Sequence, residues 1–162
     1  MTLYPVMFTF RDVVSGNGFL GGVTIGGRAL IVPEDGAWSI YGVRPAPIAE
    51  SGQTPLEAFA KFKDAYKRVL FDLAEDAKCF DDFKKFAERF YFEPDSEEEK
   101  RWTDAVRAIR SGQVEIEESI NRLPKEDPEN RPAFISISQL QEKSRFTPTD
   151  NVPDQFEFAA AA

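Results

Sequence analysis

The clearest alternation of apolar and polar positions begins at Thr54 and runs for about five helical turns. Apolar residues recur there at steps of three and four, which predicts a long amphipathic helix. The apolar stripe consists of Leu56, Phe59, Phe62, Tyr66, Val69, Leu70 and Leu73. Thr54 is the expected N-cap, Pro55 fits the first helical position, and Glu57 is expected to close a capping box onto Thr54. Gly52 supplies the turn before the helix.

The chain before this helix alternates at the period of β-strands. Strands are predicted at residues 6–14, 19–32 and 38–43, and turns at 15–18 and 33–36. Gly26 and Gly27 interrupt the second run, which fits either a tight hairpin turn or a bulge within one long strand. Pro45 and Pro47 cannot donate ladder hydrogen bonds, so the third strand is expected to end there, at an edge of the sheet.

Two shorter helices are predicted after the long one. The first covers residues 80–91, with one apolar face of Phe80, Phe83, Ala87 and Phe90. The second is expected to start at a capping box of Ser96 and Glu99 and to end at Gly112. Its apolar face consists of Trp102, Ala105, Val106 and Ile109. Aromatic residues off the first stripe, namely Phe86, Tyr91 and Phe92, suggest a buried partner surface.

The last third of the chain is more polar. Ile116, Ile120 and Leu123 fit a short fourth helix, residues 124–132 form a proline-studded linker, and residues 133–140 alternate like a half-buried strand. The predicted class is α+β, an antiparallel sheet of three to four strands with the long helix packed across it. Additional C-terminal helices and a flexible tail follow. The predicted units are a sheet-plus-helix domain (1–92), an acidic helical extension with a returning strand (93–140) and a poorly ordered tail (141–162).

Charge is distributed unevenly along the chain. The net charge is −8, and residues 93–162, with 9 basic and 16 acidic side chains, carry −7 of it. An acidic surface disfavours the phosphate backbones of nucleic acids and favours basic protein partners, although solubility alone also explains it. The single cysteine excludes an internal disulfide, and no apolar run reaches the roughly 18 residues of a membrane span. The N-terminus lacks signal-peptide features, so a cytoplasmic protein is expected.

Most catalytic arrangements are excluded because the chain contains no histidine. This removes the commonest general base and every histidine-dependent triad. The glycines form no nucleotide-binding fingerprint, and Cys79, without an imidazole to activate it, is expected to be a small buried residue. Four carboxylates remain as candidates for a divergent metal-dependent nuclease: Asp12, Glu34, Asp35 and Glu50. Their spacing carries no signature, and solvated turn residues are the simpler explanation. The sequence predicts a non-enzymatic protein with no cofactor and no metal.

The order of motifs around the long helix resembles a known family. Three strands, a Pro-x-Pro segment and the run Ser51-Gly52-Gln53-Thr54-x-x-Glu57-Ala58 precede the helix. This arrangement is similar to that of the HicB-type antitoxins of bacterial toxin–antitoxin modules, over residues 6–75. The resemblance implies a degraded ribonuclease-H-like sheet with a helix across it. It also implies a protein that masks a small, basic ribonuclease toxin, often as a dimer or tetramer, so a homodimer is one expectation.

The chain also departs from this family. The segment around residues 21–27 is longer than usual, and Ile-Ala-Glu follows the second proline where small residues are usual. Family members often end in a DNA-binding module, but residues 93–162 contain no basic recognition helix, which argues against direct DNA binding. The predicted partner-binding residues are Trp38, Tyr41, Arg44, Glu97, Glu98 and Glu99. Core aromatics and a solvated helix start are the alternative interpretation of these residues.

Overall fold

The computed structural model describes residues 2–114, 133–140 and 155–158, which form one antiparallel sheet and three helices. In chain order the elements are β1 (Tyr4–Ser15), β2 (Leu20–Glu34), β3 (Ala37–Arg44), β4 (Ala49–Gly52), α1 (Pro55–Asp76), α2 (Phe80–Phe92), α3 (Ser96–Arg110), β5 (Phe134–Leu140) and β6 (Gln155–Phe158). The strand order is β4-β3-β2-β1-β6, and β5 pairs with β2. The predicted α+β class is confirmed, with a sheet of six strands.

The second predicted run is one long strand, β2, and Gly26-Gly27 is not a hairpin turn. β1 pairs with β2 without a break through both glycines. Gly27 lies opposite Phe8, and a Cβ at Gly27 would lie 2.3 Å from the Phe8 ring, so the ring needs the space that glycine leaves. The sheet irregularity lies at Arg28/Ala29 in the pairing with β3. β3 pairs with the second half of β2, and β5 pairs with the first half.

The third strand does not lie at the sheet edge, and this expectation was wrong. The prolines do end β3, but the chain then turns back through a cis Arg44-Pro45 bond and adds the four-residue strand β4 outside it. The turn before β3 is shorter than expected. Pro33 and Glu34 still pair with β3, and only Asp35 and Gly36, both at positive φ, form the loop.

The long helix is confirmed as α1, with two differences in detail. Thr54 caps it as expected, because its hydroxyl accepts the Glu57 N–H at 3.1 Å. The Glu57 carboxylate, however, accepts the Gln53 N–H rather than that of Thr54. Leu56 does not belong to the buried stripe, since its exposed fraction is 55%. The buried part of the stripe is Phe59, Phe62, Tyr66 and Leu70.

The two shorter helices are also present, although their details differ from the expectation. Tyr91, expected off the stripe of α2, is fully buried and donates a hydrogen bond to the Gly26 carbonyl at 2.7 Å. Asp95 caps α3 instead of Ser96, because the Asp95 carboxylate accepts the Glu98 N–H. Gly112 ends α3 at a φ of 78°.

The helices lie on opposite faces of the sheet. On the first face, which we call the α1 face, α1 and α2 cover the inward residues of β1, β2 and β3. On the opposite face, the α3 face, α3 covers a smaller apolar cluster. This second cluster consists of Met7, Leu30, Val43, Trp102, Ala105 and Val106. After α2, whose Tyr91 bonds to Gly26, the chain crosses from the α1 face to the α3 face. At this point of β2 the pairing with β5 ends and the pairing with β3 begins.

The C-terminal third is described in part. The predicted half-buried strand is present as β5, with Ile135 and Ile137 less exposed than Ser136 and Ser138. Within the predicted tail, residues 155–158 form β6 against β1. The expected fourth helix, the linker of residues 124–132 and the rest of the tail lie outside the described residues. The division into three units stays a prediction.

Candidate functional site

The structure separates the predicted partner-binding residues into two groups. Trp38 lies on the α1 face, where it packs against the main core with its ring centroid 6.2 Å from that of Tyr4. Tyr41 and Arg44 lie on the α3 face, opposite Leu30 and Arg28 of β2. Trp38 is therefore a core aromatic, which is the alternative considered for it. Tyr41 and Arg44 remain candidates.

Tyr41 is the centre of a polar cluster on β2 and β3. Its hydroxyl lies 3.1 Å from both carboxylate oxygens of Glu34, and Ser39 Oγ donates to Glu34 Oε2 at 2.9 Å. Partial burial and the nearby Glu34 carboxylate raise the pKa of Tyr41, and the negative charge of Glu98 adds to the effect. Tyr41 therefore stays protonated, with its hydroxyl directed at Glu34.

The start of α3 brings the predicted glutamates to the same surface. Glu99 forms an ion pair with Arg44 across the gap between α3 and β3. Glu98 pairs with Arg101 one turn along the helix, at 3.0 Å. Glu97 is exposed at the first turn, where a carboxylate is favoured by the helix dipole. We call the surface formed by Glu34, Ser39, Tyr41, Arg44, Glu98 and Glu99 the acidic surface.

Arg28 is a neighbour of this surface that the sequence did not indicate. Its guanidinium lies 4.4 Å from the Trp102 ring centroid, a cation–π geometry, and burial lowers its pKa. Arg28 also lies directly opposite Arg44 in the ladder, where the negative charge of Glu99 offsets the repulsion between the two cations. The sequence signal for Arg28 was its position as a basic residue within an apolar strand run. Its neighbours Trp102 and Glu99 belong to α3, far along the chain.

The four carboxylates of the nuclease alternative are spread over the sheet. Asp12 lies opposite Val23 and pairs with Lys67 at 3.4 Å. Glu34 is 11 residues further along β2 than Val23, which corresponds to about 36 Å at the rise of a β-strand. Glu50 pairs with Ile40 and thus faces the α1 side, whereas Glu34 binds Tyr41 on the other face. Among residues 2–114 and 133–140, no three potential ligands form a metal-binding group.

Cys79 and the helices also bear on two expectations from the sequence. Cys79 is exposed at the N-cap of α2, so the expectation of a small buried residue was wrong. The helices in the described part of the chain are too short or too polar to cross a bilayer.

Family models, curated proteins and solved structures all give no match to this chain. Its function is therefore argued from the acidic surface itself.

Proposed function

We propose that the protein is a binding module for a small basic protein, in the manner of a HicB-like antitoxin that masks a ribonuclease toxin. The observation that carries the proposal is the acidic surface, where Tyr41 lies between Glu34 and the glutamates of α3. A half-buried tyrosine surrounded by carboxylates combines an aromatic anchor with a charged rim. Interfaces with basic partners need both.

Electrostatics favours such a partner over nucleic acid. The chain carries a net charge of −8, so it repels phosphate backbones and attracts cationic proteins over roughly a Debye length, about 8 Å at physiological salt. Arg44 and Arg101 hold Glu99 and Glu98 in place, while Glu97 extends into solvent at the start of the helix. A lysine- or arginine-rich surface on the partner would meet carboxylates whose positions are already fixed.

The resemblance to HicB-type antitoxins agrees with this proposal. The residues that carry it form a continuous stretch, from β3 through Pro45 and Pro47 to β4 and the Thr54-capped α1. This stretch places α1 across one face, and among the described residues α3 covers the other face over Met7, Leu30 and Val43. The nuclease alternative gains no observation in its favour, because Asp12, Glu50 and the adjacent residues Glu34 and Asp35 lie in three separate places on the sheet.

The test uses the small basic protein encoded by the open reading frame next to this one, if the genome contains it. We expect the two proteins to co-purify after co-expression, and the complex to lose the ribonuclease activity of the partner. Tyr41→Ala should weaken the complex by about 2 kcal/mol, a loss of roughly 30-fold in affinity by calorimetry, because an aromatic anchor is removed. Glu97→Lys should mainly slow association and reduce its salt dependence.

Leu56→Ala is the matched control, because Leu56 is exposed on α1, outside the acidic surface. It should leave the affinity unchanged within error. Absence of any small basic protein encoded beside this chain would contradict the antitoxin form of the proposal. Equal affinity for the Tyr41→Ala variant and the wild type would instead exclude the acidic surface as the binding site.

A further inference from the structure

The edge of β1 that faces away from β2 presents a row of backbone N–H and C=O groups. At the hairpin after β1, the Gly16 N–H donates to the Phe19 carbonyl at 3.0 Å. Backbone groups alternate in direction along an antiparallel strand, so the even-numbered residues of β1 bond to β2. The odd-numbered residues, among them Met7, Thr9 and Arg11, direct their N–H and C=O groups outward. These outward groups form a template on which another strand can pair.

Two separate features of the described residues cover this edge. β6 pairs with Val6–Thr9, and by the alternation above its ladder bonds join Thr9 to Gln155 and Met7 to Glu157. Further along, the outward Val13 N–H is taken by the Asp12 carboxylate at 2.8 Å, and Lys67 pairs with the same carboxylate. Charged groups and short covering strands are the usual ways in which proteins prevent edge-to-edge pairing.

We propose that the β1 edge is a self-association site that a second copy of this chain occupies when β6 leaves it. β6 has four residues and is joined to β5 by 14 residues of sequence, 141–154, so it is a small unit at the end of a long connection. Short strands at a sheet edge open at low free-energy cost. The proposal concerns a surface distinct from the acidic surface and does not depend on the proposed function.

The sequence of β1 suits antiparallel pairing with itself. With the two-fold axis at Thr9, Phe8 of one copy lies opposite Phe10 of the other, and Met7 lies opposite Arg11. Aromatic pairs and threonine pairs are favourable across strands. An axis at Arg11 would place two arginines opposite each other, which is unfavourable. Pro5, which has no N–H to donate, marks the end of the ladder.

The first experiment removes the cover in the full-length chain. The double variant Gln155→Pro/Glu157→Pro loses the two N–H groups that bond to β1, and Gln155→Ala/Glu157→Ala is its matched control. Light scattering after size exclusion should give the mass of one chain for the wild type and for the control. It should give twice that mass for the proline variant at high micromolar concentration. A chain ending at Asp154 should behave like the proline variant.

The second experiment blocks pairing at the β1 edge. Arg11 lies outside the stretch of β1 that pairs with β6, and its N–H points away from β2, so a proline there spares both of these pairings. Adding Arg11→Pro to the proline variant should return it to a monomer, whereas adding Arg11→Ala should not. Circular dichroism and thermal melting establish that each variant is folded. Should Arg11→Pro unfold the chain, amide exchange at Met7 and Thr9 replaces it: their protection in the proline variant should rise with concentration.

The outcomes separate the alternatives. A proline variant that stays monomeric, with unprotected Met7 and Thr9 amides at every concentration, overturns the proposal. A wild type that is dimeric and becomes monomeric without β6 also overturns it, because β6 would then be exchanged between copies. A dimer that Arg11→Ala disrupts as well as Arg11→Pro would show that the arginine side chain, not the strand edge, makes the contact.

Discussion

The two faces of the sheet are built on different principles. On the α1 face, aromatic rings interlock: Phe8 meets Phe62 at 5.4 Å and Phe10 meets Tyr66 at 5.0 Å between centroids, both edge to face. On the α3 face, one helix covers a small apolar cluster, and the charged residues Arg28 and Arg44 lie beside it. One face is therefore a core, and the other combines partial burial with charge.

Under the proposed function, this difference places the main core and the binding surface on opposite sides of one sheet. Alternate residues of each strand face opposite sides, so a substitution can change one side without touching the other. A protein-binding surface on the α3 face can be altered while α1 and α2 keep the fold. The following pairs of variants test that separation.

The largest difference is expected between two buried leucines. Leu70 of α1 lies in the α1-face core, and Leu30 of β2 lies in the α3-face cluster; both are at most 1% exposed. Leu70→Ala should lower the free energy of unfolding by about 4 kcal/mol, because rigid rings surround the cavity. Leu30→Ala should cost nearer 2.5 kcal/mol, because a single helix can settle into the space. Urea unfolding monitored by tryptophan fluorescence gives both values.

Equal losses at the two leucines would show that α3 is as firmly packed as α1, and the contrast between the faces would fail. A second check is the partner's affinity. It should stay unchanged for Leu70→Ala at temperatures where that variant is folded, because Leu70 lies on the α1 face. Leu30→Ala should weaken binding, because Leu30 lies opposite Tyr41 and α3 moves into the space it leaves.

Two glycines of β2 provide the next pair. A Cβ at Gly27 would lie 2.3 Å from the Phe8 ring on the α1 face, whereas at Gly22 its nearest neighbour is the Leu140 side chain at 3.4 Å. Gly27→Ala should therefore cost about 2 kcal/mol through overpacking. Gly22→Ala should stay within about 0.5 kcal/mol of the wild type, because the partly exposed Leu140 and the exposed Ser138 can move by the small distance required. Thermal melting followed by circular dichroism measures both. Similar melting temperatures for the two variants would contradict the assigned position of Phe8.

These pairs also show what the sequence could predict. The period of the apolar residues gave α1, the three long strands and both shorter helices, because these patterns are local. The place of β3 within the sheet could not be predicted from Pro45 and Pro47. Its neighbour β4 is only four residues long and carries one apolar residue, Ala49. Asp95 and Ser96 are both good N-caps, and sequence alone does not choose between adjacent candidates.

The candidate site was predictable only in part, for a related reason. Tyr41, Arg44, Glu98 and Glu99 were all predicted, and the structure brings them together. Trp38 lies apart from them, because it is three positions from Tyr41 in a regular part of β3 and therefore faces the other side of the sheet. Arg44 is also three positions from Tyr41, but the irregularity at Arg28/Ala29 returns it to the same face. Arg28 joins the group through a helix 74 residues later, a contact that no local pattern encodes.

A smaller difference is expected between two buried tyrosines. Tyr91 donates a hydrogen bond to the Gly26 carbonyl, whereas the Tyr66 hydroxyl is buried without a hydrogen-bond partner in the described structure. Tyr91→Phe should cost about 1 kcal/mol of unfolding free energy. Tyr66→Phe should be neutral or gain about 1 kcal/mol, because an unsatisfied buried hydroxyl is removed. Urea titrations at pH 8 decide this, and a clear loss at Tyr66 would reveal a partner for its hydroxyl.

The same tyrosines predict the response to alkaline pH. Burial raises the pKa of both Tyr66 and Tyr91 above the ordinary value, so the folded state keeps the neutral phenol. The stability they contribute is complete below about pH 10, the pKa in the unfolded chain, and is lost as the pH rises toward the folded pKa. The wild type should therefore lose stability progressively as the pH rises above about 10, and Tyr66→Phe should lose less. Parallel curves for the two proteins would contradict the burial of Tyr66.

The smallest effect is expected at the ion pair between Arg44 and Glu99, on the α3 face. The two side chains are 23% and 42% exposed, so water screens their attraction. A double-mutant cycle with Arg44→Ala and Glu99→Ala should give a coupling of about 0.7 kcal/mol that shrinks as salt is added. The same cycle at the more exposed pair of Arg107 and Asp104 should give less, about 0.3 kcal/mol.

A coupling above about 2 kcal/mol that persists at high salt would mean that charge, rather than Trp102 and its apolar neighbours, fixes α3 on the sheet. In that case the α3 face would also be a structural core, and mutating its charges could no longer separate binding from stability.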